Sequence, residues 1–285
     1  MIYLEKIICF AVISTNLVLA DDCAIPSCLE KNTLCKFPTD EKSADCPSDF
    51  DDSFSQSQKD DVLHAHNKYR SQLAMNDVRD KNGKYFPPAA NMIQLEWDDG
   101  IEKVAHRWLL QCKFSHDECR SSEKFKRMGQ NLALCSAREK SHIVNVDNWQ
   151  KEAENHCEWD VCMIRSDKKT GHFTQLGWAT SSHLGCAKSM FTKKFKTDNL
   201  YCNYGPAGNW AGRPMYKQGM PCTECPEGMS CSRKYPGLCT GGPDKGATPP
   251  KFTIKAAAVS CSPFDMMYYF IFISLIHNTF VSLKF

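Results

Sequence analysis

The chain has 285 residues, long enough for one large domain or two smaller ones, and its 42% hydrophobic and 24% charged residues are an ordinary globular mixture. Lys plus Arg number 35 against 33 Asp plus Glu, a net charge of +2 that leaves no electrostatic footprint for nucleic acid. The 17 cysteines are the outlier: they suggest metal clusters in a reducing compartment and a disulfide framework in an oxidising one.

The N-terminus favours the second reading. Residues 1–20 place Lys6 before the apolar stretch Ile7–Ile13 and end in Val18-Leu19-Ala20, the pattern of a secretory signal cut before Asp21. Cys9 leaves with that segment, and an even number of cysteines remains. Residues 21–56 are rich in Asp, Ser and Pro, hold Cys23, Cys28, Cys35 and Cys46, and show no sustained period. They read as a disulfide-stapled extension without a core of its own.

Ser57 and Asp60 mark a helix start, followed by Val62, Ala65, His66, Tyr69 and Leu73 at helical spacing. A second helix follows Trp97: Asp98 and Asp99 favour its N-terminus, and Ile101, Val104, Ala105, Trp108, Leu109 and Cys112 form one stripe. A third runs from Ser141 to about His156, with Ile143, Val146, Trp149 and Ala153 facing inward. After Gly171, HFTQLGW and LGCAKSMF read as strands, KKFKTDN as an exposed turn and LYCNY as a returning strand. Helices followed by strands predict an α+β layered domain over 57–216.

Gly, Pro and Cys then dominate. Residues 217–240 read as a small disulfide knot, in which C-T-E-C at 222–225 is two half-cystines rather than a redox pair, and 241–263 as a linker. The hydrophobic tail 264–285 is interrupted by His277 and Asn278, a poor match to the ~20 apolar residues of a spanning helix. Ala256-Ala257-Ala258, a spacer and that tail fit a glycolipid-anchor signal. The expectation is a secreted, extracellular protein, with a glycolipid-anchored form at the cell surface as the alternative.

No G-x-S-x-G, H-E-x-x-H, G-x-G-x-x-G or P-loop occurs. Two histidines draw notice: His116, between Cys112 and Cys119, and His172 after Gly171. Spacing alone does not bring them together, and each alone reads as an ordinary structural or surface histidine.

Four stretches change that weighting. AHNKYRSQLA at 65–74, GQNLA at 129–133, GHFTQLGWATSSHLGCA at 171–187 and LYCNYGPAGNW at 200–210 together resemble the CAP superfamily of cysteine-rich secretory proteins, antigen-5 venom allergens and plant pathogenesis-related proteins. The resemblance covers about residues 58–216. CLEKNTLCK at 28–36 and HDECR at 116–120 are most similar to arthropod antigen-5 proteins. The knot at 222–239 resembles the hinge of cysteine-rich secretory proteins, and the further six-cysteine, channel-blocking domain is missing.

The resemblance implies a three-layer α-β-α sandwich with a cleft that holds His116, His172 and the acid Glu152. The family's second acid falls in a G-E-N motif that here reads Gly129-Gln130-Asn131. Gln130 carries no charge and cannot act as a base, but it can hydrogen-bond an imidazole. Two imidazoles would hold Zn²⁺ only weakly, one of them oriented by Glu152. Hydrolysis would have Glu152 as its only matched base, so the enzymatic reading is poorly furnished.

The same resemblance implies the pairs Cys23–Cys35, Cys28–Cys119, Cys46–Cys112, Cys186–Cys202, Cys222–Cys231 and Cys225–Cys239. Cys157–Cys162 closes a small loop, and Cys135 and Cys261 either pair or stay free. The implied role is that of a non-enzymatic, monomeric venom or salivary protein binding a small lipid or a host protein. Tyr85 and Phe86 are candidates for lining a ligand groove, with plain core packing as the other reading. An ion-channel or receptor-directed toxin and a weak metal-dependent hydrolase or protease are the alternative functions.

Overall fold

The computed structural model describes residues 23–155, 170–192 and 194–255. In chain order its elements are α1 (Thr33–Lys36), α2 (Gln56–Ala74), β1 (Glu96–Trp97), α3 (Asp99–Leu109), β2 (Gly129–Ser136), α4 (Ser141–Lys151), α5 (Gly171–Leu176), β3 (His183–Thr192), β4 (Lys196–Gly205), β5 (Ser230–Ser232), β6 (Cys239–Thr240) and β7 (Lys245–Ala247). They fall into two compact units, neither contiguous in sequence. One gathers the described residues up to Gln56 with Trp97–His142 and His183–Ala207; the other gathers Ser57–Glu96, Ile143–Ser182 and the residues from Gly208 on.

The first unit is built on a four-stranded sheet in the order β1-β3-β4-β2, with β4 antiparallel to both β3 and β2. Directly opposed Cys186 and Cys202 are bonded across β3 and β4. Helix α3 begins where Asp98 accepts from the Ile101 N–H, an N-cap that satisfies one orphan donor. Its stripe then buries Ala105, Trp108 and Leu109 with Leu132, Ala187 and Tyr201 from the sheet. Ile101 and Val104 join Leu34, Phe125 and Met128 in a second cluster.

The N-terminal extension is tied to this unit twice over. Cys28–Cys119 and Cys46–Cys112 staple it, and Cys23–Cys35 closes it locally. Leu34, Phe37 and Phe50 also pack into the unit's apolar clusters.

The second unit is organised by α2. Leu73 and Ala74 pack with Phe86, Met92, Phe173, Trp178 and Tyr216 in its core. Arg70 is fully buried, and its guanidinium donates to the carbonyls of Ile93, Leu176, Trp178, Ala179 and Ser181. A planar five-donor fork suits such a cluster, binding several loop carbonyls at one point. The cysteine-rich segment adds a small sheet in the order β6-β5-β7, bonded by Cys222–Cys231 and Cys225–Cys239.

Several expectations need correction. HFTQLGW is not a strand: residues 171–176 form α5. Its aromatic and β-branched content suggested extended chain, but the Glu152 carboxylate accepts from the His172 and Phe173 N–H groups and caps the helix instead. Gly177 ends it where a β-carbon would strike Leu73 and Met215. The order is also not helices first and strands later, because GQNLALCS forms β2 between α3 and α4. The third helix stops at Lys151 and continues as a 3₁₀ turn over Glu152–Asn155. KKFKTDN is mostly strand, since β4 begins at Lys196. Within the stretch read as linker, Lys245–Ala247 pairs with β5. No helix among the described residues is long and apolar enough to cross a membrane.

Candidate functional site

The four site residues form two histidine–partner pairs, one in each unit. In the first unit His116 lies on the loop after α3, between the half-cystines Cys112 and Cys119. That loop is bound to the N-terminal extension. The Thr33 N–H donates to the Cys119 carbonyl at 2.9 Å, the Thr33 hydroxyl donates to Asp117, and the Asn32 amide donates to the Ser121 carbonyl at 3.2 Å. Two crosslinks and this network fix the stretch that carries the imidazole. His116 Nδ1 then meets Gln130 Oε1 at 2.7 Å. An amide oxygen only accepts, so Nδ1 carries the proton and Nε2 is the nitrogen with a lone pair.

In the second unit His172 stands in the first turn of α5. Its Nδ1 donates to Glu152 Oε1 at 2.7 Å, and Glu152 Oε2 accepts the His172 N–H at 2.9 Å and the Phe173 N–H at 3.2 Å. Trp149 stacks on the His172 ring at 6.0 Å between centroids, tilted by 22°. Trp149 also meets the edge of His66, whose centroid lies 6.0 Å away. His66 is fully buried in α2 and donates from Nδ1 to the Val62 carbonyl at 2.7 Å; burial holds its pKa down at about 4, so the ring stays neutral.

These contacts decide what Glu152 can do. Three of its acceptor positions are taken by one imidazole and two backbone amides, an arrangement that orients His172 and caps a helix. Gln130 does the corresponding work for His116 without a charge. Neither residue is presented as a general base.

The remaining candidates divide. Phe86 is buried and packs on Phe173 at 5.2 Å between centroids. Tyr85 is half-buried, with the Arg79 guanidinium 4.3 Å above its ring. Cys222, Cys225 and Cys239 bring their sulfurs within 4.8 Å of one another, but all three are half-cystines, and a metal needs the thiolate. Six disulfides join the described cysteines, and among these Cys135 is free. Cys157, Cys162 and Cys261 lie outside the described residues. Sequence reasoning assigned no role to Asn203, which holds Gln130; its only signal was a place inside the motif LYCNYGPAGNW.

Comparison with known proteins gives a consistent picture. The model of the cysteine-rich secretory protein family, CAP, matches residues 63–204. Venom allergen 5 of Dolichovespula arenaria is 33% identical over 193 residues, covering 66% of this chain and 94% of that protein. The CRISP/Allergen/PR-1 protein of Trittame loki is 35% identical over 242 residues, 79% of this chain and 55% of its own length. The chain thus spans about half the length of that relative. The crystal structure of NaASP2 with Zn²⁺ superposes with a TM-score of 0.56 at 28% identity, over 68% of this chain and 100% of that one.

Proposed function

The chain belongs to the cysteine-rich secretory protein family, and from that footing we propose that it is a secreted, venom-allergen-like protein that acts by binding and takes Zn²⁺ weakly, His116 and His172 being imidazoles that each offer a nitrogen to the metal. The carrying observation is that each imidazole meets an acceptor through Nδ1, which leaves Nε2 of each as the nitrogen with ligand capacity. The donor set fits zinc, which takes neutral imidazole nitrogen. Tight zinc sites have three or four protein ligands, and these imidazoles offer fewer, so affinity should be no better than roughly micromolar. When bound, the ion would supply a positive, water-bearing centre. The engagement of Glu152 by the His172 imidazole and two backbone amides argues for binding rather than hydrolysis.

Calorimetric titration of the metal-free protein with zinc at neutral pH tests this. His116→Ala and His172→Ala should each weaken binding. Unchanged affinity in both variants refutes the imidazole reading. The partner in this role is a small lipid or a host protein, and native mass spectrometry of the secreted chain should retain a co-purifying lipid if the first is right. The toxin alternative has only the hinge in its favour.

A further inference from the structure

His116 reaches the sheet through a chain of two amides. Its Nδ1 meets Gln130 Oε1 at 2.7 Å, and Gln130 Nε2 donates to Asn203 Oδ1 at 3.1 Å. Gln130 and Asn203 are direct partners in the β2–β4 register, so their side chains leave the sheet on one face, a short step apart. The contact is therefore built into strand pairing. On the other flank of Asn203 the register partner in β3 is Gly185, and the space its side chain would fill is taken by the backbone of Asp98, Ile101 and Glu102 at the start of α3. Asn203 is fully buried and Gln130 is 8% exposed. Asn203 Nδ2 has no hydrogen-bond partner among the described residues, which is rare for a buried donor.

Amides give this chain a direction. As Asn203 stands, its Oδ1 faces Gln130 and can only accept, so the end of Gln130 that meets it is the NH₂ group. Oε1 of Gln130 then faces His116, and a proton must sit on Nδ1 between them. His116 Nε2 carries the lone pair. Turning both amides over would keep two hydrogen bonds but reverse their sense. Gln130 would donate to Nδ1, and the ring proton would move to Nε2, the nitrogen a metal needs bare.

We propose that Asn203 is a positioning residue, which sets the polarity of Gln130 and so holds His116 with Nε2 bare. This rests on the zinc reading of His116. An uncharged relay does for His116 what a carboxylate does for His172. The unpaired Nδ2 has a place in the same scheme. A glutamate at 130 would turn its second oxygen toward Asn203, and the amide could then rotate to offer Nδ2 as a donor. Gln130→Glu should therefore tighten zinc only while Asn203 is present.

The test uses the full chain with its disulfides intact, free of metal and labelled with ¹⁵N in histidine. Two-bond proton–nitrogen correlation spectra at neutral pH distinguish an N–H nitrogen from a bare one. The parent should show His116 Nδ1 as N–H and Nε2 as bare. Asn203→Leu should mix the two tautomers and weaken zinc about tenfold. Gln130→Met removes the acceptor from a less buried position and should mix them as well, so the outcome does not hang on one core variant. Asn203→Asp keeps an acceptor toward Gln130 and should retain the parental tautomer. A parent with its bare nitrogen at Nδ1 overturns the proposal, as does retention of the parental tautomer in both Asn203→Leu and Gln130→Met. A parent that shows the expected tautomer, loses it in those variants and binds no zinc supports the relay and refutes the metal reading.

Discussion

His66 should make the protein's stability depend on pH between about 4 and 6.5. The ring is fully buried in α2, donates to the Val62 carbonyl, abuts the edge of Trp149 and lies one helical turn before the buried Arg70 guanidinium. Burial is the main force that lowers its pKa from 6.5 to about 4; the Val62 carbonyl opposes the shift, and the Arg70 charge adds to it. In the unfolded chain the same imidazole titrates near 6.5. Below that pH the unfolded state takes up a proton that native His66 refuses, so stability falls as pH falls and the loss is complete near 4. Above 6.5 the group contributes nothing to the pH dependence. At about 1.4 kcal/mol per pH unit, the interval corresponds to about 3 kcal/mol.

The perturbation is His66→Leu, which removes the titrating group and keeps the site apolar. Urea unfolding of parent and variant, with disulfides intact, should be compared from pH 4 to 7.5. Carboxylates and the other histidines titrate in both proteins, so the difference between the two curves isolates His66. That difference should be flat above pH 6.5, and the variant should gain about 3 kcal/mol on the parent by pH 4. Parallel curves through this window would refute the reasoning. Trp149 packs on both His66 and His172, so its fluorescence should report the acid loss in the parent before global unfolding.

Three further outcomes follow from single contacts. Replacing Cys28 and Cys119 by Ser should cost about 3 kcal/mol, since Cys46–Cys112 lies nested inside that bridge and leaves it only a short loop to close, and should expose the extension and the His116 loop to limited proteolysis; equal resistance in parent and variant would mean that the Thr33 and Asn32 bonds suffice. Gly185→Ala should destabilise by about 3 kcal/mol or more in the same unfolding assay, because its β-carbon would strike the Glu102 nitrogen and stand 2.7 Å from the Ile101 carbonyl carbon, both backbone. Cys135 should alkylate slowly: burial and then the Asp198 charge raise its pKa above the ordinary thiol value, so thiolate is scarce at pH 8 and labelling should climb only at higher pH; mass spectrometry showing full labelling near neutrality would contradict this.

What the sequence made legible was information carried within one element. The stripe from Ile101 to Leu109 and the helix over Val62–Leu73 are readable because a helix buries one face and the spacing records it. Where structure depends on a remote partner, local pattern misleads. Residues 171–176 look extended by composition, yet they are helical because Glu152, 20 residues upstream, accepts their first amides. Strand β2 escaped notice because an edge strand with no β-branched or aromatic residue carries almost no β signal.

The site shows the same division more sharply. His116, His172, Glu152 and Gln130 were placed by resemblance to a family, since nothing in their spacing joins them. Asn203 stood inside LYCNYGPAGNW, one of the motifs that carry that resemblance, and still had no readable role. Its role is a property of register: it opposes Gln130 because β2 and β4 pair as they do, and a slip of one residue would send its side chain to the other face of the sheet. Tyr201 and Leu132, on the same face as Asn203 and Gln130, are buried with Trp108 and Leu109 of α3. That slip would therefore expel two core side chains as well. The packing that stabilises the first unit and the alignment that orients His116 thus follow from one pairing, and conservative changes to the β2–β4 core should disturb both together.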